Sequence, residues 1–275
     1  MYMKKMIMLG LVCMAGISGN QVWAQLADST KRLVKLEGTV NFRDIGGYPT
    51  DDGKIVKWGK IYRSEALDKL TDADRDSLGH RKIDHVVDFR GNGEAAKAPD
   101  KLPENTNYLL LPAGSASTDL KKIFEQMTDG EKAMETFYSN TGAMVPRYRP
   151  FFQEVLALPD SSALVFHCTA GKDRTGIAAA LLLFALGVSE DVILSVFLAT
   201  NTYRKEENSK GIQHLIQMGV SQTVASDIMA VKTGYLRAAL DAINKEYGSV
   251  QGFFHRGLGL TDVDIRTLKQ KFVEE

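Results

Sequence analysis

His167, Cys168, Thr169, Ala170, Gly171, Lys172, Asp173, Arg174, Thr175 and Gly176 follow one another between two apolar runs, 163–166 and 177–186. That setting reads as a buried strand, a tight loop and a buried helix. A loop that brings a cysteine and an arginine to a helix N-terminus can hold a tetrahedral dianion and attack it. Backbone N–H groups and the helix dipole favour the anion, and an arginine fork pairs two oxygens at once. The same positive field favours the thiolate, which is the nucleophilic form of Cys168. A buried, inert thiol is the other fate of a lone cysteine, and the flanking loop argues against it.

Several elements must position this loop. Residues 41–63 read as extended segments around turns at Gly46-Gly47 and Thr50-Asp51-Asp52-Gly53, the second suiting a hairpin between Tyr48 and Ile55. Thr71 with Asp74 has the pattern of a capping box and opens a helix to about His80; Thr128 with Glu131 repeats it towards Tyr138. Strands are expected over 83–89 and 108–111, and a helix over 146–158 with Phe151, Phe152, Val155 and Leu156 on one side. After Gly187 the pattern is helical to the end. Ser189, Ser221, Thr233 and Thr261 mark starts, and Gly248 marks a stop. Strands alternating with helices, then a run of helices, predict an α/β fold: a central, mostly parallel sheet flanked by helices, with a helical C-terminal portion. The helix after the loop is apolar all round and belongs at the centre.

At 275 residues, with 44% hydrophobic and 25% charged residues, the chain suits one globular domain. Basic and acidic residues balance at 34 each. No global field calls for nucleic acid or an anionic membrane, so any attraction for phosphate is local. Lys4 and Lys5 before an apolar run, with Val22-Trp23-Ala24 supplying small residues at −3 and −1, have the pattern of a secretory signal over residues 1–24. The run is too short to span a bilayer. The expected mature domain, 25–275, is exported to the periplasm or secreted, without stable membrane insertion. It loses Lys4 and Lys5 and keeps Cys168 as its one cysteine, which leaves no disulfide framework.

Cys168, five residues and Arg174 make the Cys-x5-Arg signature of the protein tyrosine and dual-specificity phosphatases. With Asn41-Phe42-Arg43-Asp44-Ile45-Gly46-Gly47-Tyr48, Tyr62-Arg63-Ser64, Asp88-Phe89-Arg90 and Tyr247-Gly248-Ser249, the chain resembles a bacterial branch of secreted tyrosine and phosphoinositide phosphatases. The resemblance implies a phosphocysteine on Cys168. Arg174 and the loop amides from Thr169 to Arg174 stabilise the equatorial oxygens, with Thr169, Ala170, Gly171, Lys172, Thr175 and Gly176 as the phosphate cradle. Thr175 would hydrogen-bond the sulfur and His167 would orient the loop. It implies no cofactor and no metal, and His80, His85, His214 and His255 show no ligand spacing.

Asp173 is the expected general acid, with bracing of the loop as its other role. Asp88, at the end of a predicted strand, is its rival or else the partner of a nearby arginine. Lys172 either meets a second phosphate or acidic groups of the substrate, or is a solvated loop residue. Arg43 either lines the pocket or pairs with Asp44 to fix a turn; Arg63 and Arg90 are read as scaffold. Residues 115–149 are either a lid or crossover helix, with Met127, Met134, Phe137 and Tyr138 as core. The expected substrates are phosphotyrosine proteins, with phosphoinositides or inositol phosphates as the alternative. Outside phosphoester hydrolysis, a non-catalytic phosphate-binding module and a rhodanese-like sulfur carrier use similar loops; the Asp173-Arg174-Thr175-Gly176 ending argues against the latter.

Overall fold

The computed structural model describes residues 29–112 and 128–275, and the compact unit is Arg32–Glu275. The expected signal segment 1–24 lies outside the described residues. Strands β1 (Arg43–Asp44), β3 (Ile61–Ser64), β4 (Ile83–Asp88), β5 (Asn107–Leu110) and β6 (Ala163–His167) form one sheet in the order β1-β3-β6-β4-β5. β3, β6, β4 and β5 are mutually parallel, and β1 runs antiparallel against β3 at the edge. β6 is central and all five of its residues are buried, which is why its sequence is a continuous apolar run without alternation. The expected α/β fold with a mostly parallel sheet and a helical C-terminal portion is the fold observed.

Helix α1 (Asp72–His80) starts at Thr71 with both capping-box bonds formed, and α2 (Asn92–Lys97) follows β4. α3 (Gly130–Tyr138) is capped by Asp129, which accepts from Lys132 N, and not by Thr128. α4 (Thr141–Ala157) begins a turn earlier than the proline at 146 suggests, because Asn140 accepts from Ala143 N and caps the earlier turn. Its Tyr148, Phe151 and Phe152 join Phe89 and Phe166 in an edge-to-face cluster under the sheet.

α5 (Arg174–Leu186) is buried at every position except Arg174 and Phe184. Its Ile177 and buried leucines, each worth about 1.5–3 kcal/mol when fully buried, anchor the helix whose first turn closes the loop. Gly187 ends it in the left-handed conformation at φ 89°. α6 (Glu190–Leu198), α7 (Lys205–Gln217), α8 (Gln222–Met229), α9 (Thr233–Tyr247) and α10 (Asp262–Phe272) follow, with short helical turns at Thr200–Tyr203, Val250–Gly252 and Phe253–Gly257 between them. The C-terminal end departs from the expectation. β2 (Ile55–Val56) pairs antiparallel with β7 (Val273–Glu274), so the chain does not stay helical to its end. The expected hairpin between Tyr48 and Ile55 forms: Thr50 N donates to Lys54 O and Val56 N to Tyr48 O, both at 2.9 Å, around the Pro49–Ile55 bridge.

Candidate active site

The loop between β6 and α5 is held from outside by its carbonyls. Thr169 O accepts from Ala66 N at 3.2 Å, Gly171 O from Asn41 Nδ2 at 2.9 Å and Arg63 Nη2 at 2.8 Å, and Ala170 O from Asn41 Nδ2 at 3.4 Å. In planar trans peptides the N–H opposes the C=O, so three successive outward carbonyls turn the N–H groups of Ala170, Gly171 and Lys172 inward. Gly171 has φ 59°, and a Cβ there would lie 2.1 Å from Ser64 O; the position admits only glycine. Gly176 is similarly confined, since a Cβ would meet the Phe197 ring at 2.8 Å.

Cys168 sits at the floor of this loop, 2% exposed. Burial pushes its thiol pKa up. The Arg174 charge, the Thr175 hydroxyl and the Thr175 N–H outweigh it, and the result is a thiol below its ordinary range. The Thr175 hydroxyl is fully buried beside the sulfur and lowers its pKa.

Arg174 is fixed by a residue that the sequence reading missed. Glu94, on α2, meets Nη1 at 2.7 Å and Nη2 at 3.0 Å, while Phe89 O accepts from Nη1 at 3.0 Å. Glu94 also accepts from Gly91 N at 2.7 Å and from the Thr169 hydroxyl. Burial raises the Glu94 pKa, but the Arg174 bond and charge, Thr169 and Gly91 bring it down to about 2. Its signal in the sequence was a glutamate three residues after Gly91, the spacing that caps a helix start.

Asp173 faces the same loop. Its Oδ1 accepts from Tyr138 Oη at 2.7 Å and from Lys172 Nζ at 2.8 Å. Residues 113–127 of the segment read as lid or crossover, Met127 among them, lie outside the described residues. Of the rest, Tyr138 is core and Met134 packs against the core, whereas Phe137 is 41% exposed.

The structure places the remaining candidates, and for Asp88 it bears out the arginine-partner alternative. Lys172 is buried and donates to Ile228 O at 2.9 Å and Ala230 O at 3.3 Å; it is neither solvated nor turned to the substrate side. Asp88 is fully buried and held by Tyr108 Oη at 2.7 Å and by Arg90 Nε, Nη2 and N. Burial raises its pKa, and His167 and Arg90 more than reverse that. It is therefore an ion-pair partner and not an acid beside the loop.

Arg43 and Asp44 point to opposite faces of β1, as strand alternation requires. Arg43 contacts Asn41, Thr200 Oγ1 at 3.1 Å and the Tyr203 ring. Asp44 instead receives Gly46 N at 2.7 Å and Gly59 N at 2.6 Å. The expected turn is real, but Asp44 makes it with backbone amides while Arg43 braces a different element.

His167 is buried between Asp100 Oδ2, 3.0 Å from Nε2, and its own chain at Cys168 O, 3.3 Å from Nδ1. Burial lowers its pKa, but Asp100 and Asp88 raise it above the ordinary value. Asp88, Asp100 and His167 have ligand atoms within 4.8 Å of one another. Arg90 lies on both carboxylates, at 2.8 and 2.9 Å, so a cation already balances them. Among the described residues no helix is long and apolar enough to cross a membrane.

A parallel sheet whose central strand delivers Cys168 into a closed loop, with Arg174 at the first turn of the next helix, defines the cysteine-based phosphatase class. Comparison with known proteins agrees. Residues 34–274 match the tyrosine phosphatase family, and the chain belongs to that family. A protein of Cupriavidus necator named as a tyrosine-protein phosphatase is 32% identical over 236 residues, 85% of each chain. The triple specificity protein phosphatase PtpB of Mycobacterium tuberculosis is 27% identical over 273 residues, covering 86% of this chain and 97% of that one. A tyrosine-protein phosphatase of Nostoc commune is 31% identical over 216 residues, covering 75% and 72%. The protein is a phosphatase.

Proposed function

We propose that the chain is an exported phosphatase that hydrolyses phosphotyrosine, and other phosphomonoesters by dual specificity, through a phosphocysteine. The observation that carries this is the convergence on one loop of a buried thiol of lowered pKa, Arg174 and Asp173. In the first step Cys168 Sγ attacks phosphorus in line, the bond to the tyrosyl oxygen breaks, and Asp173 gives that oxygen its proton. Arg174 and the inward amides hold the three equatorial oxygens as charge redistributes. In the second step water attacks phosphorus, Asp173 takes its proton, and the thiolate leaves with the Thr175 hydroxyl on sulfur.

Lys172, the side chain offered for a second phosphate, is turned into the protein, which favours phosphotyrosine over phosphoinositides. Hydrolysis without added metal is compared for phosphotyrosine peptides, phosphoserine peptides and phosphoinositides, with wild type and Cys168→Ser. Preference for phosphotyrosine, abolished by Cys168→Ser, is the expected result. Preference for phosphoinositides would replace the substrate assignment; phosphate-analogue binding without turnover would leave a binding module. Export is tested separately by fractionating cells that express the full chain and sequencing the N-terminus, expected at Gln25.

A further inference from the structure

Lys172 and Tyr138 arrive at Asp173 from different parts of the fold, and both donate to the same carboxylate oxygen. Tyr138 is the last residue of α3, fully buried, with its ring against Phe197 at 5.9 Å and Tyr235 at 5.7 Å. Its hydroxyl lies 2.7 Å from Asp173 Oδ1. Lys172 Nζ lies 2.8 Å from that oxygen and within 2.9 and 3.3 Å of Ile228 O and Ala230 O, at the C-terminal end of α8. An ammonium group has three N–H donors and no acceptor. These three oxygens account for all of them, and the carbonyl end of a helix suits a cation.

We infer that Tyr138 and Lys172 are positioning residues for proton transfer, a two-donor clamp that fixes the Asp173 carboxyl group and confines its transferable proton to Oδ2. The inference rests on Asp173 being the general acid. An oxygen that accepts from both a phenol and an ammonium group has no room for a proton of its own, so the acid form carries it on the other oxygen. The clamp also ties the chemistry to the helical C-terminal portion: the end of α8 holds Lys172, and α9, through Tyr235, backs Tyr138. Lys172 thereby acts on the leaving group through Asp173, with no direct contact to substrate.

The test is turnover of a series of aryl phosphates from good to poor leaving groups. Wild type is compared with Tyr138→Phe, Lys172→Met, Asp173→Asn and the Tyr138→Phe/Asp173→Asn double variant. Vanadate inhibition is measured on each as a check that the cradle is intact. Asp173→Asn is expected to slow poor leaving groups far more than good ones. Tyr138→Phe and Lys172→Met should show the same bias in part, on the order of tenfold for phenyl phosphate, with vanadate inhibition unchanged. In the Asp173→Asn background, Tyr138→Phe should add nothing.

Equal slowing of all leaving groups by Tyr138→Phe and Lys172→Met, or full additivity with Asp173→Asn, overturns the clamp while leaving Asp173 as the acid. Absence of leaving-group bias in Asp173→Asn itself overturns the acid assignment, and the clamp with it. Altered vanadate inhibition in step with turnover would make the two residues supports of the loop, which also overturns the inference.

Discussion

The two carboxylate oxygens of Glu94 meet the two terminal nitrogens of Arg174, at 2.7 and 3.0 Å. The bidentate pair fixes the plane of the guanidinium before any phosphate arrives, so the fork is not ordered at the expense of substrate binding. Replacing Glu94 with Gln keeps the shape and removes the charge. Glu94→Gln should lower kcat/KM for phosphotyrosine peptides by about 10–100-fold, the range of a lost charge-assisted bond, and weaken vanadate inhibition in parallel. Unchanged kcat/KM would mean that the loop alone orients Arg174.

The Cys168 thiolate owes part of its stability to the Thr175 hydroxyl. The pH profile of iodoacetate alkylation should therefore turn over below 9.0, the ordinary thiol value here. Thr175→Val should move the midpoint upward, and Thr175→Ser should restore it. A Thr175→Val midpoint equal to wild type would assign the lowered pKa to Arg174 and the backbone amide.

His167 binds its proton more tightly folded than unfolded, through Asp100 and despite its burial. Its contribution to stability is complete below pH 6.5 and is lost as pH rises through the higher folded value. The lowered thiol of Cys168 gives a slope of opposite sign, so the comparison belongs in the Cys168→Ser background. There, the Tm is expected to fall from about pH 6.5 upward, and Asp100→Asn should flatten that fall. A uniformly lower Tm with the same slope would show that Asp100 only packs.

Asn41 holds two loop carbonyls from a left-handed backbone at φ 62°. Asn41→Gly preserves that conformation and removes the amide. It should reduce kcat/KM about tenfold with a Tm change of a few degrees. Gly171→Ala sets a Cβ against Ser64 O and should cost about 2 kcal/mol or more and most of the activity. Full activity in Gly171→Ala would show that the loop shape is adaptable.

The nucleophile, the arginine and the sheet were legible because each rests on a local pattern. The apolar run into Cys168 is β6, and the apolar run after Arg174 is α5. Side-chain direction was not legible. Lys172 is adjacent to Asp173, but its course is set by the end of α8, about 56 residues later in sequence. Glu94 carried only a weak capping signal, and its role depends on α2 lying over Arg174. Asp44 and Arg43 were joined by adjacency, whereas β-alternation parts them. β7 was missed because two residues have no period, and only the pairing with β2 makes Val273–Glu274 a strand.

Gly171 O is gripped by Asn41 and Arg63, residues 130 and 108 positions earlier in the chain. The strand–loop–helix unit therefore lacks within itself the bonds that give the loop its shape. A site closed by contacts of such long sequence separation arrives late in folding. On refolding, helical signal should return before phosphatase activity, and activity should return only as β1 and β3 dock. The catalytic rate thus doubles as a gauge of completed tertiary structure, and a destabilised variant would lose function by losing folded molecules before it lost any catalytic group.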